Sequence, residues 1–144
     1  MKKLLTILLF CVLTVGMASV TSAADWRFVI ISDGNDNYFF DTQSFRKTGD
    51  TTYIVWAKIE FSEVSGQKNA KIIKTQQPVA YELSKYEYNF QNEEWRILAS
   101  AWYGKNGDTL YSYSTPMSWN AIFPNSIGEV IFLVTYDYYK KNYK

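Results

Sequence analysis

"TTYIVWAKIEF", residues 51–61, sends Tyr53, Val55, Ala57, Ile59 and Phe61 to one side of an extended chain, and Lys58 and Glu60 to the other. That period of two belongs to a strand with one buried and one wetter face. Ile54 and Trp56 make the second face only partly polar.

Working outward, the same texture recurs. Short aromatic and β-branched runs alternate with turn residues, which is how strands and their connections are written. Upstream, 25–32 (DWRFVIIS) and 38–41 (YFFD) read as strands around the turn DGNDN, and RKTGD (46–50) turns the chain again. Downstream, 79–90, 95–104 and 109–114 read as three consecutive strands linked by QNEE and KNGD. Asn106-Gly107 suits a tight hairpin because both residues tolerate positive φ. Strict alternation along the second of these strands puts Trp95, Ile97, Ala99 and Ala101 on one face, with Arg96, Leu98 and Trp102 on the other. Residues 62–78, polar and lysine-bearing, read as a long loop.

The period changes near the end. Ser126 and Glu129 have capping-box spacing just after Pro124, and Ile127, Val130, Ile131, Val134 and Tyr138 follow at helical intervals. Gly128 weakens the first turn, by up to ~1 kcal/mol relative to alanine, and close approach to a sheet would explain it. Lys140 and Lys141 suit the negative end of the helix dipole. The fold expected is α+β: an antiparallel meander of about six strands, covered on one face by a C-terminal helix.

The N-terminus reads differently. A basic start (MKK), an apolar run and small residues before Asp25 form the three-part pattern of a secretory signal peptide. Cleavage after Ala23 or Ala24 fits, giving a signal peptide over 1–23 and one domain over 24–144. The rival is an uncleaved anchor, but the small residues crowding the end of the run favour removal. The single cysteine, Cys11, lies inside that run behind Phe10, which does not suit lipid attachment, so a lipoprotein is not expected. Removing Lys2 and Lys3 leaves 13 basic against 14 acidic residues, which gives no electrostatic reason to expect nucleic acid as a partner. No later segment suits a membrane span.

Beyond the signal region the sequence resembles the surface-adhesin protein E family of Gram-negative bacteria. Trp26 is followed by FFDTQSF (39–45), in which Asp41 and Ser44 match a family stretch while Phe39 and Phe45 replace its tyrosine and isoleucine. Trp56 matches a strand tryptophan. WNAIFPNSIGE (119–129) keeps Trp119, Ile122, Pro124, Ser126 and Glu129, and departs with Ala121 for proline and Asn125 for glycine. The resemblance implies the same sheet-plus-helix fold and a non-catalytic, adhesin-like binding protein. It also implies that two cysteines of many relatives fall near Phe90 and Tyr136. A disulfide there would contribute roughly 2–4 kcal/mol. Two rings packed together would recover ~0.5–1.5 kcal/mol beyond their area burial.

Two groups are candidate binding surfaces. One is an aromatic band of Tyr81, Tyr86, Tyr88, Trp95, Trp102, Tyr103, Tyr111 and Tyr113, with Trp102, Tyr111 and Tyr113 the foremost. Interfaces favour such rings, but so does cross-strand packing. The other is Lys68, Lys71 and Lys74, which could meet an acidic partner or simply be solvated. Glu93 and Glu94 sit together in a turn without the contrasting environments that acid–base work requires. Asp33, Asn35 and Asp36 suit turn chemistry better than a calcium loop. With histidine absent and the cysteine in the signal region, catalytic residues, a metal and a cofactor are not expected. The expected partner is a protein: a host matrix protein at the cell surface, or another envelope component in the periplasm, with a homodimer through a sheet edge as a further arrangement.

Overall fold

The computed structural model describes residues 23–143, so the expected signal peptide lies almost wholly outside the described residues. Six strands form the main path of one antiparallel sheet: β1 (Trp26–Ile31), β2 (Asn37–Asp41), β4 (Thr52–Glu60), β5 (Tyr81–Asn89), β6 (Glu94–Tyr103) and β7 (Thr109–Tyr113). Two short strands, β3 (Arg46–Lys47) on β4 and β8 (Asn120–Ala121) on β6, complete an eight-stranded meander. Two helices accompany it, α1 (Glu63–Ile72) and α2 (Ile127–Tyr143). The architecture is the expected α+β one.

Helix α1 corrects the reading of 62–78 as a loop. Ser62 caps it, its Oγ accepting from Ser65 N at 3.2 Å, and Glu63 and Lys71 suit the two ends of the dipole. No apolar stripe announced it, because only Gly66 and Ala70 are buried. A Cβ on Gly66 would overlap the Val79 carbonyl oxygen, so glycine there permits the close approach. Asp36 completes the junction by accepting from Ser62 N at 2.8 Å and Ser65 Oγ at 3.0 Å.

Helix α2 runs unbroken to Tyr143 and lies on the sheet face that carries Tyr53, Val55 and Phe40. Its buried line is Phe132, Thr135 and Tyr139, flanked by the partly buried Ile131, Val134, Tyr136 and Tyr138. The apolar spacing had placed the centre one residue away, since a stripe this wide leaves its axis open. Within the core, Tyr53 stacks on Tyr139 at 4.7 Å and on Tyr88 at 5.5 Å, and Tyr88 meets Phe132 at 5.8 Å. Phe45 contacts Phe40, Tyr53, Tyr138, Tyr139 and Tyr143. The Tyr53 hydroxyl donates to Thr135 Oγ1 at 3.0 Å, while Thr135 donates to the Ile131 carbonyl at 2.8 Å, so the buried hydroxyls are satisfied. Phe90 and Tyr136 stack with centroids 5.0 Å apart at 18°.

The cap of α2 is a variant of the expected box. Ser126 Oγ accepts from Glu129 N at 3.1 Å, and the Glu129 carboxylate accepts from Asn125 N at 2.8 Å. Asn125 has φ +59°, a conformation that asparagine tolerates better than most residues, which suits it to a position where the family resemblance leads one to expect glycine. Gly128 is exposed and makes no close approach to the sheet; a Cβ would come no nearer than 3.5 Å, to Ser126 Oγ. The expectation of close packing there is overturned. In the 104–108 turn only Gly107, φ +84°, is left-handed, and Gly104 N donates to Asp108 O at 3.0 Å. This is a wider hairpin than a two-residue turn.

Candidate functional site

Pairing register decides which rings share a face. A bulge at Leu98 shifts β6 against β5, so that Tyr86 faces Ile97 while Lys85 faces Ala99. Trp102 consequently joins Trp95 and Ile97 on the helix-bearing face, and Ala99 and Ala101 move to the opposite one. Strict alternation misplaced these three, because one extra residue inverts every side chain beyond it.

On the helix-bearing face one transverse row reads Tyr38, Ile59, Glu82, Trp102, Tyr111, and the next Phe40, Ala57, Ser84, Ser100, Tyr113. Trp102, Tyr111 and Tyr113 are thus brought together, with centroids 6.1 Å apart in each successive pair. Beside them lies a cluster that the sequence did not announce. Ser84 donates to Glu82 Oε1, Ser100 donates to the same oxygen at 3.1 Å, and the two serines are 2.8 Å apart. All three residues are buried. Burial, followed by the Glu82 charge, raises the phenol pKa of both Tyr86 and Tyr113; for Tyr38, Asp36 acts between those two causes. A cavity of about 250 Å³, lined chiefly by Tyr38, Ile59, Tyr86, Trp95, Gly128 and Ile131, opens beside the first turn of α2.

The opposite face carries a row of Phe28, Phe39, Lys58, Leu83, Ala101 and Ser112, one residue from each main strand. Trp56, Lys85 and Ala99 form a parallel row. Small residues at 99, 101 and 112 leave a shallow groove of about 370 Å³ between Trp56, Leu83 and Tyr103. No hydrogen bond or ring contact among the described residues ties either helix to this face. Lys58 Nζ lies 5.3 Å from the Trp26 ring and 4.6 Å from that of Phe39, and Arg96 lies 4.5 Å from Trp119. The partly apolar second face of 51–61, with Ile54 and Trp56, is the sequence signal for this surface.

Lys68 and Lys71 project from exposed positions on α1, beside Glu63, Val64 and Gln67, and Lys74 follows the helix with φ +58°. Lys68 and Lys71 are thus helix-borne, and Lys74 alone lies in the connection after the helix. Glu93 and Glu94 do not converge on a shared site: Glu93 is exposed with φ +54°, and Glu94 accepts from Asn92 at 3.3 Å. No group of three or more metal-type ligands occurs among the described residues.

The residues carrying the resemblance are mostly scaffold. Asp41 Oδ1 accepts from Asp25 N at 2.9 Å and Gln43 N at 3.0 Å, and Ser44 Oγ bridges the Asp41 carbonyl to Trp56 N. An open antiparallel sheet with a C-terminal helix against one face is the class of α+β domain these residues build. The profile of the surface-adhesin protein E family matches residues 26–135, and the chain belongs to that family. Membership implies a cell-surface or exported protein with a non-enzymatic role. Comparison with curated proteins gave no match. No helix of the described residues is long and apolar enough to cross a membrane.

Proposed function

We propose that this chain is an exported, non-catalytic envelope protein that attaches to a host extracellular-matrix protein through the uncovered sheet face. The observation that carries the reading is that face itself: aromatic and aliphatic side chains on rigid strands around a shallow groove, with neither helix tied to it. A contiguous apolar patch with a polar rim is what protein partners use. Lys58, held over two rings and paired with Glu60 at 2.8 Å, puts an ion pair at the patch. Trp102, Tyr111 and Tyr113 flank the other face, and Lys68, Lys71 and Lys74 remain secondary contacts in this reading.

Solid-phase binding of the purified chain to matrix components tests it. Retention that falls about tenfold or more in a Trp56→Ser, Leu83→Ser double variant supports the face as the binding surface. Equal retention of both proteins sinks it.

A second reading, a periplasmic module that pairs with an envelope component or its own copy, is favoured by the edge strand β1. Phe28 and Ile31 are 50% and 55% exposed on that edge. Protease accessibility on intact cells separates the two: shaving supports surface attachment, and release only by osmotic shock supports the periplasmic module.

A further inference from the structure

Strand β5 buries two glutamates on opposite faces, and only one has a counter-charge. Glu87 is 7% exposed and pairs with Arg96, whose Nη2 lies 2.6 Å and Nε 2.7 Å from Glu87 Oε2; Thr48 donates to the other oxygen at 2.7 Å. Glu82, 8% exposed, has two serine hydroxyls on Oε1. Its Oε2 accepts no hydrogen bond from the described residues, and no lysine or arginine among them forms an ion pair with it. The two serines hold Oε1, whereas Oε2 is not one of the buried unpartnered atoms and is left open to a partner from outside the chain.

What surrounds Glu82 in place of a cation is a set of rings. Ile59 and Trp102 are its cross-strand neighbours, and Tyr38 and Tyr111 extend the same row. Tyr86 and Tyr113 sense its charge. Trp102 lies edge-on to Phe61 at 6.3 Å, and its indole Nε1 is buried with no acceptor. A carboxylate among electron-rich rings is complementary to an organic cation, which gains from the charge and from the ring faces together.

We infer that Glu82 binds a small organic ammonium ion, its nitrogen at Oε2 and its apolar part in the cavity lined by Tyr38 and Ile59 of the same row. The cavity sets the size: at about 250 Å³ it suits a fragment smaller than a drug-sized ligand. Helix α2 sets the orientation. Ile127 and Gly128 of its first turn border the cavity, and that positive end of the dipole disfavours a cation there while leaving an apolar tail unaffected. This site lies on the face opposite the proposed protein-binding surface and stands independently of it.

The test titrates the full folded chain with choline and, separately, with 3,3-dimethyl-1-butanol, its uncharged equivalent in shape. Calorimetry and the Trp102 indole N–H resonance provide the readouts. The site predicts saturable choline binding that shifts the Trp102 signal, with the neutral alcohol weaker by about tenfold or more. Glu82→Gln, which keeps the shape, should weaken choline by a similar factor, whereas Lys71→Ala should leave it unchanged. Absence of choline binding overturns the inference, as does equal affinity for the alcohol or an unaltered Glu82→Gln. Should that variant fail to fold, Trp102→Leu and the wild-type choline/alcohol ratio decide by the same criteria.

Discussion

The two faces of this sheet are built from similar residues and put them to different uses. On the face beneath α2, rings are stacked into a core: Phe40, Phe45 and Tyr53 are essentially inaccessible, and Tyr53 alone contacts Phe45, Tyr88, Tyr136 and Tyr139. On the other face, Trp26, Phe28, Phe39 and Trp56 are half-buried or exposed. Ring content therefore does not distinguish core from surface. The docked helix does, because it removes one set of rings from water and leaves the other to flank a groove.

Alkaline pH should separate the faces most strongly. Burial raises the phenol pKa of Tyr53 and Tyr88 above the ordinary value of 10. The unfolded chain then releases protons near pH 10 while the folded one keeps them. Stability from these groups is complete below about pH 10 and is lost as pH rises beyond it, by about 1.4 kcal/mol per pH unit for each phenol. Urea unfolding at pH 9, 10 and 11 should show that decline. A flat profile would mean that these rings are wet.

Single truncations sharpen the contrast. Phe45→Ala should cost about 3–5 kcal/mol, since its ring touches five others, whereas Trp56→Ala on the uncovered face should cost about 1 kcal/mol. Equal losses in denaturant midpoints would erase the distinction between the faces.

The two helices give a smaller version of the same lesson. Gly66→Ala should destabilise by about 1–3 kcal/mol because its Cβ has nowhere to go, while Gly128→Ala should stabilise by up to about 1 kcal/mol because its Cβ meets only Ser126 Oγ, at an ordinary contact distance of 3.5 Å. Thermal melting of the pair should move in opposite directions. Smallest of all, a double-mutant cycle on Phe90→Ala and Tyr136→Ala should return about 0.5–1.5 kcal/mol of coupling, the gain from stacked rings.

What was legible in the sequence follows from which signals are local. The alternation in 51–61 and the helical spacing after Ser126 depend on neighbours along the chain, so the meander and its terminal helix could be read directly. The cap of α1 was equally local, but a helix that buries only Gly66 and Ala70 carries no stripe to announce it. The bulge at Leu98 has no signature of its own, and it alone decides that Trp102 shares a face with Tyr86. The same pairing sets Glu82, Ser84, Ser100 and Trp102 beside one another. Residues 16 or more apart come together there only through register, which is why the grouping needed three dimensions to be seen.

Native-state hydrogen exchange of α2 tests the central claim most directly, because the division of the rings rests on that helix being part of the cooperative fold. Amides around Phe132, Thr135 and Tyr139 should exchange as slowly as those of Tyr53 and Val55, by global unfolding alone. Fast exchange along α2 beside a protected β4 would contradict it, leaving both faces of the sheet equally bare.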